Sequence, residues 1–180
     1  MTATINASTT AGVVITPDNS GALALQNAGT TGLLISAAGL NTRPLQTACL
    51  VRTSGNIDYL SINAFQKVAF NTVINQTGSS FNTSTNRFTA PVDGWYFVSS
   101  TVYMYPTSQV DMNLYKNGSN FLRSAGSAAA SNVNPNGGQI NTAIYLSATD
   151  YLELYVQSPA TCTIYQGSPY TTYFSAYLLG

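Results

Sequence analysis

The sequence predicts an all-β protein in which a sandwich-type head follows a short β-repeat arm. Three observations carry that expectation. Where apolar residues recur regularly they do so with a period of two, and no stretch sustains a helical period. Turn chemistry punctuates the strands, at Ala90-Pro91 with Asp93-Gly94 and again at Asn117-Gly118. The first forty residues repeat a small-apolar-x-apolar unit every ten positions, at Gly12-Val13-Val14-Ile15, Ala22-Leu23-Ala24-Leu25 and Gly32-Leu33-Leu34-Ile35.

Taken in chain order, residues 1–43 read as an arm or stalk. Strands this short cannot bury an apolar face within one chain, so Val13, Ile15, Leu23, Leu25, Leu33 and Ile35 are expected to stack on copies of themselves, in a solenoid or across a symmetric trimer. The alternative for this stretch is a disordered low-complexity tail. Asn41-Thr42-Arg43-Pro44 forms the junction, and the head occupies residues 44–180.

Within the head, Ala90-Pro91 holds the chain extended and Asp93-Gly94 turns it into a strand running from Trp95 to Tyr105. Tyr96, Val98, Val102 and Met104 lie on one face of that strand, and Trp95, Phe97, Tyr103 and Tyr105 on the other. Both faces are apolar, so one meets the core and the other meets something else. Val110, Met112 and Leu114 share a face and lead into Asn117-Gly118, a hairpin signal, with Phe121 and Leu122 opening the return strand. Ser124 to Gly138 reads as an exposed loop. Ile140, Ile144 and Leu146 line the next strand, Leu152, Leu154 and Val156 the one after, and Phe174, Ala176 and Leu178 the last.

Phe70-Asn71, Gly78, Phe81-Asn82, Phe88-Thr89-Ala90-Pro91, Gly94-x-Tyr96, Leu114-Tyr115-Lys116-Asn117-Gly118, Asp150-x-Leu152-x-Leu154 and Phe174-Ser175-Ala176-x-Leu178-Leu179 follow one another in the order seen in the globular head of complement C1q. From Pro44 to Gly180 the chain resembles that family. The resemblance implies a ten-stranded jelly roll of the tumour-necrosis-factor type, assembled as a homotrimer. In such an assembly the first long strand and the last are neighbours facing the threefold axis, which implies an aromatic trimer interface at Phe97, Tyr103, Tyr105, Tyr173 and Tyr177. The other reading leaves these residues facing solvent as cross-strand pairs. Two positions depart from the family pattern: Ala148-Thr149-Asp150 lacks a glycine before the aspartate, and Ala176 stands where a glycine is usual.

Composition narrows the chemistry. Only 7% of residues are charged and the net charge is zero, against roughly 25% charged in an ordinary domain. Arg43, Arg52, Lys67, Arg87, Lys116 and Arg123 are spread along the chain, so neither a nucleic acid nor an anionic membrane surface is an expected partner. No apolar run reaches the roughly 20 residues that span a bilayer. Met1-Thr2-Ala3-Thr4 has no basic or apolar leader character, so the expectation is synthesis in a host cytoplasm without a signal peptide. Cys49 and Cys162 are expected to be free, buried thiols. Asn6, Asn75, Asn82 and Asn117 head glycosylation sequons that are expected by chance in a chain so rich in Asn, Ser and Thr.

The chain has no histidine, so a Ser/His/Asp or Cys/His pair cannot be built, and a histidine-bearing zinc site is equally excluded. Asp150 and Glu153 point to opposite faces of a strand and cannot act as a two-carboxylate pair. Asp150 reads as a turn residue and Glu153 as a solvated one. The expectation is therefore a non-enzyme with no cofactor. Calcium is the one ion the resemblance brings in, with Asp18, Asp93, Asp111 and Asp150 as candidate oxygen donors and ordinary turn roles as their alternative.

A C1q-like head behind a β-repeat arm, poor in charge and without a leader, resembles bacteriophage (cyanophage-like) fibre and decoration proteins. That resemblance implies a homotrimer on the virion surface, docked on another virion protein through its arm, with a head that binds a host surface glycan or protein. Two alternatives stand beside it: a tail-fibre receptor-binding adhesin, and a secreted C1q-like lectin of the pattern-recognition kind.

Overall fold

The computed structural model describes residues 21–59, 64–105, 109–127, 136–159, 161–167 and 171–179. The chain divides into two compact units, Met1–Leu45 and Gln46–Gly180. No helix occurs among the described residues.

In the first unit, β1 (Leu23–Asn27), β2 (Thr30–Ile35) and β3 (Asn41–Thr42) form a three-stranded antiparallel sheet. Ala28 and Gly29 make the β1–β2 turn with φ of 49° and 78°, the double left-handed geometry whose twist matches a two-residue hairpin. Leu23 pairs with Ile35 and Leu25 with Leu33, so four of the six predicted stacking residues stand on one face as two cross-strand pairs. The short strands thus find hydrogen-bonding partners within one chain. Their apolar face is only partly covered: Leu25 is 45% exposed and Leu23, Leu33 and Ile35 are half-buried, and among the described residues the buried apolar core begins at Cys49. Val13 and Ile15 lie outside the described residues.

The second unit is a jelly-roll sandwich. Its strands are β4 (Ala48–Arg52), β5 (Ile57–Tyr59), β6 (Gln66–Lys67), β7 (Thr72–Thr77), β8 (Phe81–Asn82), β9 (Arg87–Thr89), β10 (Gly94–Tyr105), β11 (Gln109–Lys116), β12 (Ser119–Ser127), β13 (Asn136–Leu146), β14 (Tyr151–Gln157), β15 (Cys162–Tyr165) and β16 (Tyr173–Leu178). The larger sheet has seven strands in the order β5-β15-β10-β16-β4-β7, with β13 on the other side of β10. The smaller has six, in the order β12-β11-β14-β9-β8, with β6 beside β14. The ten strands that the resemblance implies are therefore exceeded, because short pieces such as β5, β6 and β8 add pairings of only two or three positions each.

The alternation read from sequence places the core. Tyr96, Val98, Val102 and Met104 of β10 are buried, as are Val110, Met112 and Leu114 of β11, Leu152, Leu154 and Val156 of β14, and Phe174 and Ala176 of β16. Tyr96 is fully buried because its hydroxyl donates to the Val92 carbonyl at 2.9 Å, which removes the cost of burying an unpaired O–H. The Asn117-Gly118 turn forms as expected, with φ of 53° and 78°. The Ser124–Gly138 stretch departs from expectation. β12 continues to Ser127 and β13 starts at Asn136, so both ends of the supposed loop are strand; its middle lies outside the described residues. A lack of large apolar side chains hid the strand here; at Gly138 a Cβ would sit 2.5 Å from Met112 Sδ, so a larger residue would have to displace that thioether.

The departure at Ala148-Thr149-Asp150 is visible as backbone strain. Thr149 takes φ of +74°, a region that a β-branched residue occupies at a cost. Asp150 secures the turn by accepting from Ser147 N at 2.9 Å and from Asn117 Nδ2 at 2.7 Å, while Asn117 Oδ1 accepts from Tyr151 N at 2.9 Å. Thr149→Gly is expected to raise stability by about 1 kcal/mol, seen as a higher urea midpoint at unchanged slope; no gain would mean that the turn relaxes the strain by other means.

Candidate functional site

The outward face of the larger sheet is built from rows of side chains set by the strand register. At one end Tyr145 of β13 stands opposite Trp95 of β10, their rings meeting edge to face at 5.9 Å. Leu179, just past β16, donates its N–H to the Trp95 carbonyl at 2.7 Å and continues the row. In the next row Phe97 pairs with Tyr177, ring centroids 5.5 Å apart. The third row is small and polar: Ser99 opposes Ser175, and its hydroxyl donates to Asn141 Oδ1 at 2.8 Å. Thr101 opposite Tyr173, then Tyr103 opposite Tyr165, and finally Tyr105, complete the face.

All five predicted interface residues, Phe97, Tyr103, Tyr105, Tyr173 and Tyr177, therefore share this face, but a polar waist at Ser99, Ser175 and Asn141 divides them. Tyr103 is partly used within its own chain, since a Cβ on Gly137 would come within 3.0 Å of its ring. The ring lies over that glycine and shields its backbone, the aromatic cover that glycine in a strand needs. The most exposed members are Trp95 at 53% and Tyr145 at 47%, with Leu179 also exposed. Tyr145 escaped sequence reading because its strand was assigned by the core-facing Ile140, Ile144 and Leu146, and Tyr165 because no strand was assigned around it; Leu179 lies just past the last strand.

Toward the other edge the same face is hollow. One depression of about 330 Å³ is lined by Ala48, Leu50, Asn75, Gln76, Ser175 and Tyr177 among others. A second, of about 250 Å³, lies between Leu50, Arg52, Ile74 and Tyr173. Their origin is local: along β16 the small Ser175 sits between the tall Tyr173 and Tyr177, and Leu50 of β4 opposes it, so the two hollows share Leu50 as a wall.

The outward face of the smaller sheet is different. Glu153 is only 2% exposed although it points away from the core, which corrects the expectation of a solvated side chain. Tyr151 and Tyr155 flank it on β14 and Tyr115 opposes it on β11, with the Tyr115 and Tyr155 rings 4.2 Å apart. Lys67 Nζ and Arg87 Nε reach Glu153 Oε1 at 2.5 and 2.7 Å. Burial alone would raise this carboxyl, but the bonds and charges of Lys67 and Arg87 outweigh it and hold the pKa below the usual range. Arg87 also stacks 4.1 Å over Tyr151. Arg123 pairs with Asp111 at 2.7 Å on the same sheet. Lys67 and Arg87, far apart in sequence, thus converge on one carboxylate, and Arg123 is held by another.

Asp93 accepts from Ala148 N at 2.6 Å, Asp111 is taken by Arg123 and Gln109, and Asp150 pairs with Lys116 at 2.9 Å. Asp93 and Asp150 take adjacent amides of one turn, Ala148 N and Ser147 N, while Asp111 belongs to the smaller sheet; Asp18 lies outside the described residues. Among the described residues no three His, Cys, Asp or Glu side chains come together in a way that would hold a metal ion. Cys49 and Cys162 are free and buried. Burial pushes the Cys49 thiol up to about 12, despite a backbone hydrogen bond at Ala176, so it is not a ready nucleophile.

Comparison with known proteins gives this geometry a family. A model of the C1q domain matches residues 53–179. The chain belongs to the C1q domain family. Solved relatives support the fold of this C1q domain at low identity. The Eiger TNF of S. frugiperda superimposes with a TM-score of 0.60 at 16% identity, covering 77% of this chain and 94% of that one. The globular domain of zebrafish complement 1qA does so with a TM-score of 0.54 at 14% identity, covering 75% and 98%. Among curated proteins, the uncharacterized protein YqcC of Bacillus subtilis (strain 168) is 38% identical over 71 residues, or 38% of this chain. The C1q chain spans 19% of the length of YqcC.

Proposed function

We propose that this C1q-family protein is a non-enzymatic homotrimer that associates through the outward face of its larger sheet, and that it serves as a structural surface protein of a phage virion, a short fibre or head decoration. The observation that carries the self-association is the exposed aromatic end of that face, where Trp95, Tyr145, Tyr177 and Leu179 stand in water together. Contiguous exposed aromatic surface of this kind marks an interface. The arm supplies a docking element: its sheet holds Leu23, Leu25, Leu33 and Ile35 on one half-buried face, suited to another virion protein or to the arms of the other two copies. The placement on a virion rests on the resemblance to phage fibre and decoration proteins and on a charge-poor composition. The head retains loops and an outer sheet for a host glycan or protein.

Light scattering on the eluted protein is expected to give three times the 19.0 kDa chain mass. Tyr173→Asp places a charge in the face and is expected to return the species to one chain mass. A wild-type monomer would sink the trimer, and an unaffected trimer would show that Tyr173 faces solvent. Gold-labelled antibody on virus particles tests the virion placement; labelled heads support decoration, labelled tails an adhesin, and bare particles overturn the virion reading.

A further inference from the structure

Resting on the homotrimer reading, we infer that the Trp95–Tyr145 pair of one copy seats in the two adjoining hollows between β4, β7 and β16 of the next copy. The two features lie on the same sheet face but at opposite edges. With about 4.8 Å between neighbouring strands, β13 stands four intervals, roughly 19 Å, from β7. A protruding pair at one edge and a recess at the other are complementary to each other and not to themselves. Such a contact is heterologous, and repeated about a threefold axis it closes into a ring with every protrusion and every recess used.

The chemistry of the two sides agrees. Trp95 and Tyr145 hold each other edge to face at 5.9 Å, so they present a preformed wedge with little rotamer freedom left to lose. The recess offers Leu50 and Ile74 as apolar walls and the rings of Tyr173 and Tyr177 as sides. Ser175 and Asn75 line the larger hollow with the acceptors that an indole N–H and a phenol O–H require once water is excluded. A symmetric contact that stacked Trp95 on Trp95 would pair only two copies and would leave both hollows unfilled.

Two measurements separate this pairing from trimerisation itself. Trp95 is the only tryptophan, so its fluorescence reports one site. In the trimer its emission is expected to shift to the blue and its quenching by iodide to fall several-fold relative to the Tyr173→Asp monomer. Next, Tyr145→Cys and Ile74→Cys are combined in one chain and oxidised. The two positions are far beyond the ~7 Å Cα separation a disulfide tolerates, so any bond between them joins two copies; cross-linked dimers and trimers on a denaturing gel are the expected result. Trimer mass with Trp95 still fully quenchable and no 74–145 cross-link would overturn the seating and leave the trimer standing. Monomer mass would remove both.

Discussion

Truncating Phe174 to alanine is expected to cost the head about 4 kcal/mol, a large part of the 5–15 kcal/mol that keeps a domain folded. Phe174 of β16 is 1% exposed and lies 6.0 Å from Phe70, 5.9 Å from Phe81 and 6.5 Å from Phe88, ring centroid to ring centroid. Phe81 and Phe88 belong to the smaller sheet and Phe174 to the larger, so this ring is where the layers interlock. The hole left by alanine cannot collapse without moving both sheets, and the lost contacts add to the lost burial. Phe121→Ala serves as the control, because that ring is half in water and its loss should change stability by less than about 0.5 kcal/mol. Urea unfolding at a fixed protein concentration measures both, concentration being held because assembly adds to apparent stability. A loss below about 1 kcal/mol for Phe174→Ala would mean that the phenylalanine cluster repacks freely.

Glu153→Gln is expected to lower stability by about 2 kcal/mol at neutral pH, the scale of hydrogen bonds to a charged group. The amide keeps the shape but leaves Lys67 and Arg87 facing a neutral oxygen; their own partial exposure limits the loss by letting water reach them. The pH dependence follows from the direction of the shift. The folded carboxyl titrates below the unfolded value of about 4.3. Its contribution is therefore complete above that value and drains away as pH falls through the folded pKa. Asp150, held at about 2 first by Asn117 and then by Lys116 and Ser147, acts in the same sense and in the same acidic window. With no histidine in the chain, melting temperature is expected to be nearly flat from pH 6 to 8 and to fall steadily from about pH 4.5 toward pH 2. The gap between wild type and Glu153→Gln should shrink over that acidic range; a gap that persists unchanged at pH 2.5 would show that the loss comes from packing and not from charge.

Much of the head was legible in the linear chain because strand geometry is local. A period of two assigns each side chain to a face, so Tyr96, Val98, Val102 and Met104 could be placed inside and Phe97 and Tyr103 outside before any partner strand was known. The turn at Asn117-Gly118 was readable for the same reason, since positive φ at two successive residues favours those residue types, although Ala28-Gly29 makes the same turn without the asparagine. Where the signal was weak, sequence failed in a definite way. The ends of the Ser124–Gly138 stretch are strand because they pair with β11 and β10, partners that only the fold brings alongside them.

What the sequence determined by itself is therefore the class, the family and the two-faced long strand, all consequences of periodicity and turn chemistry. The tertiary structure alone decided the rest. Glu153 was read as solvated because its neighbours in sequence are unremarkable; it is buried because Tyr115, Lys67 and Arg87 arrive from three other strands. The outward face of the larger sheet likewise takes Trp95 from β10, Tyr145 from β13, Tyr177 from β16 and Leu50 from β4. Its protruding pair, polar waist and hollows depend on cross-strand register, and register is a relation between segments that no single segment contains.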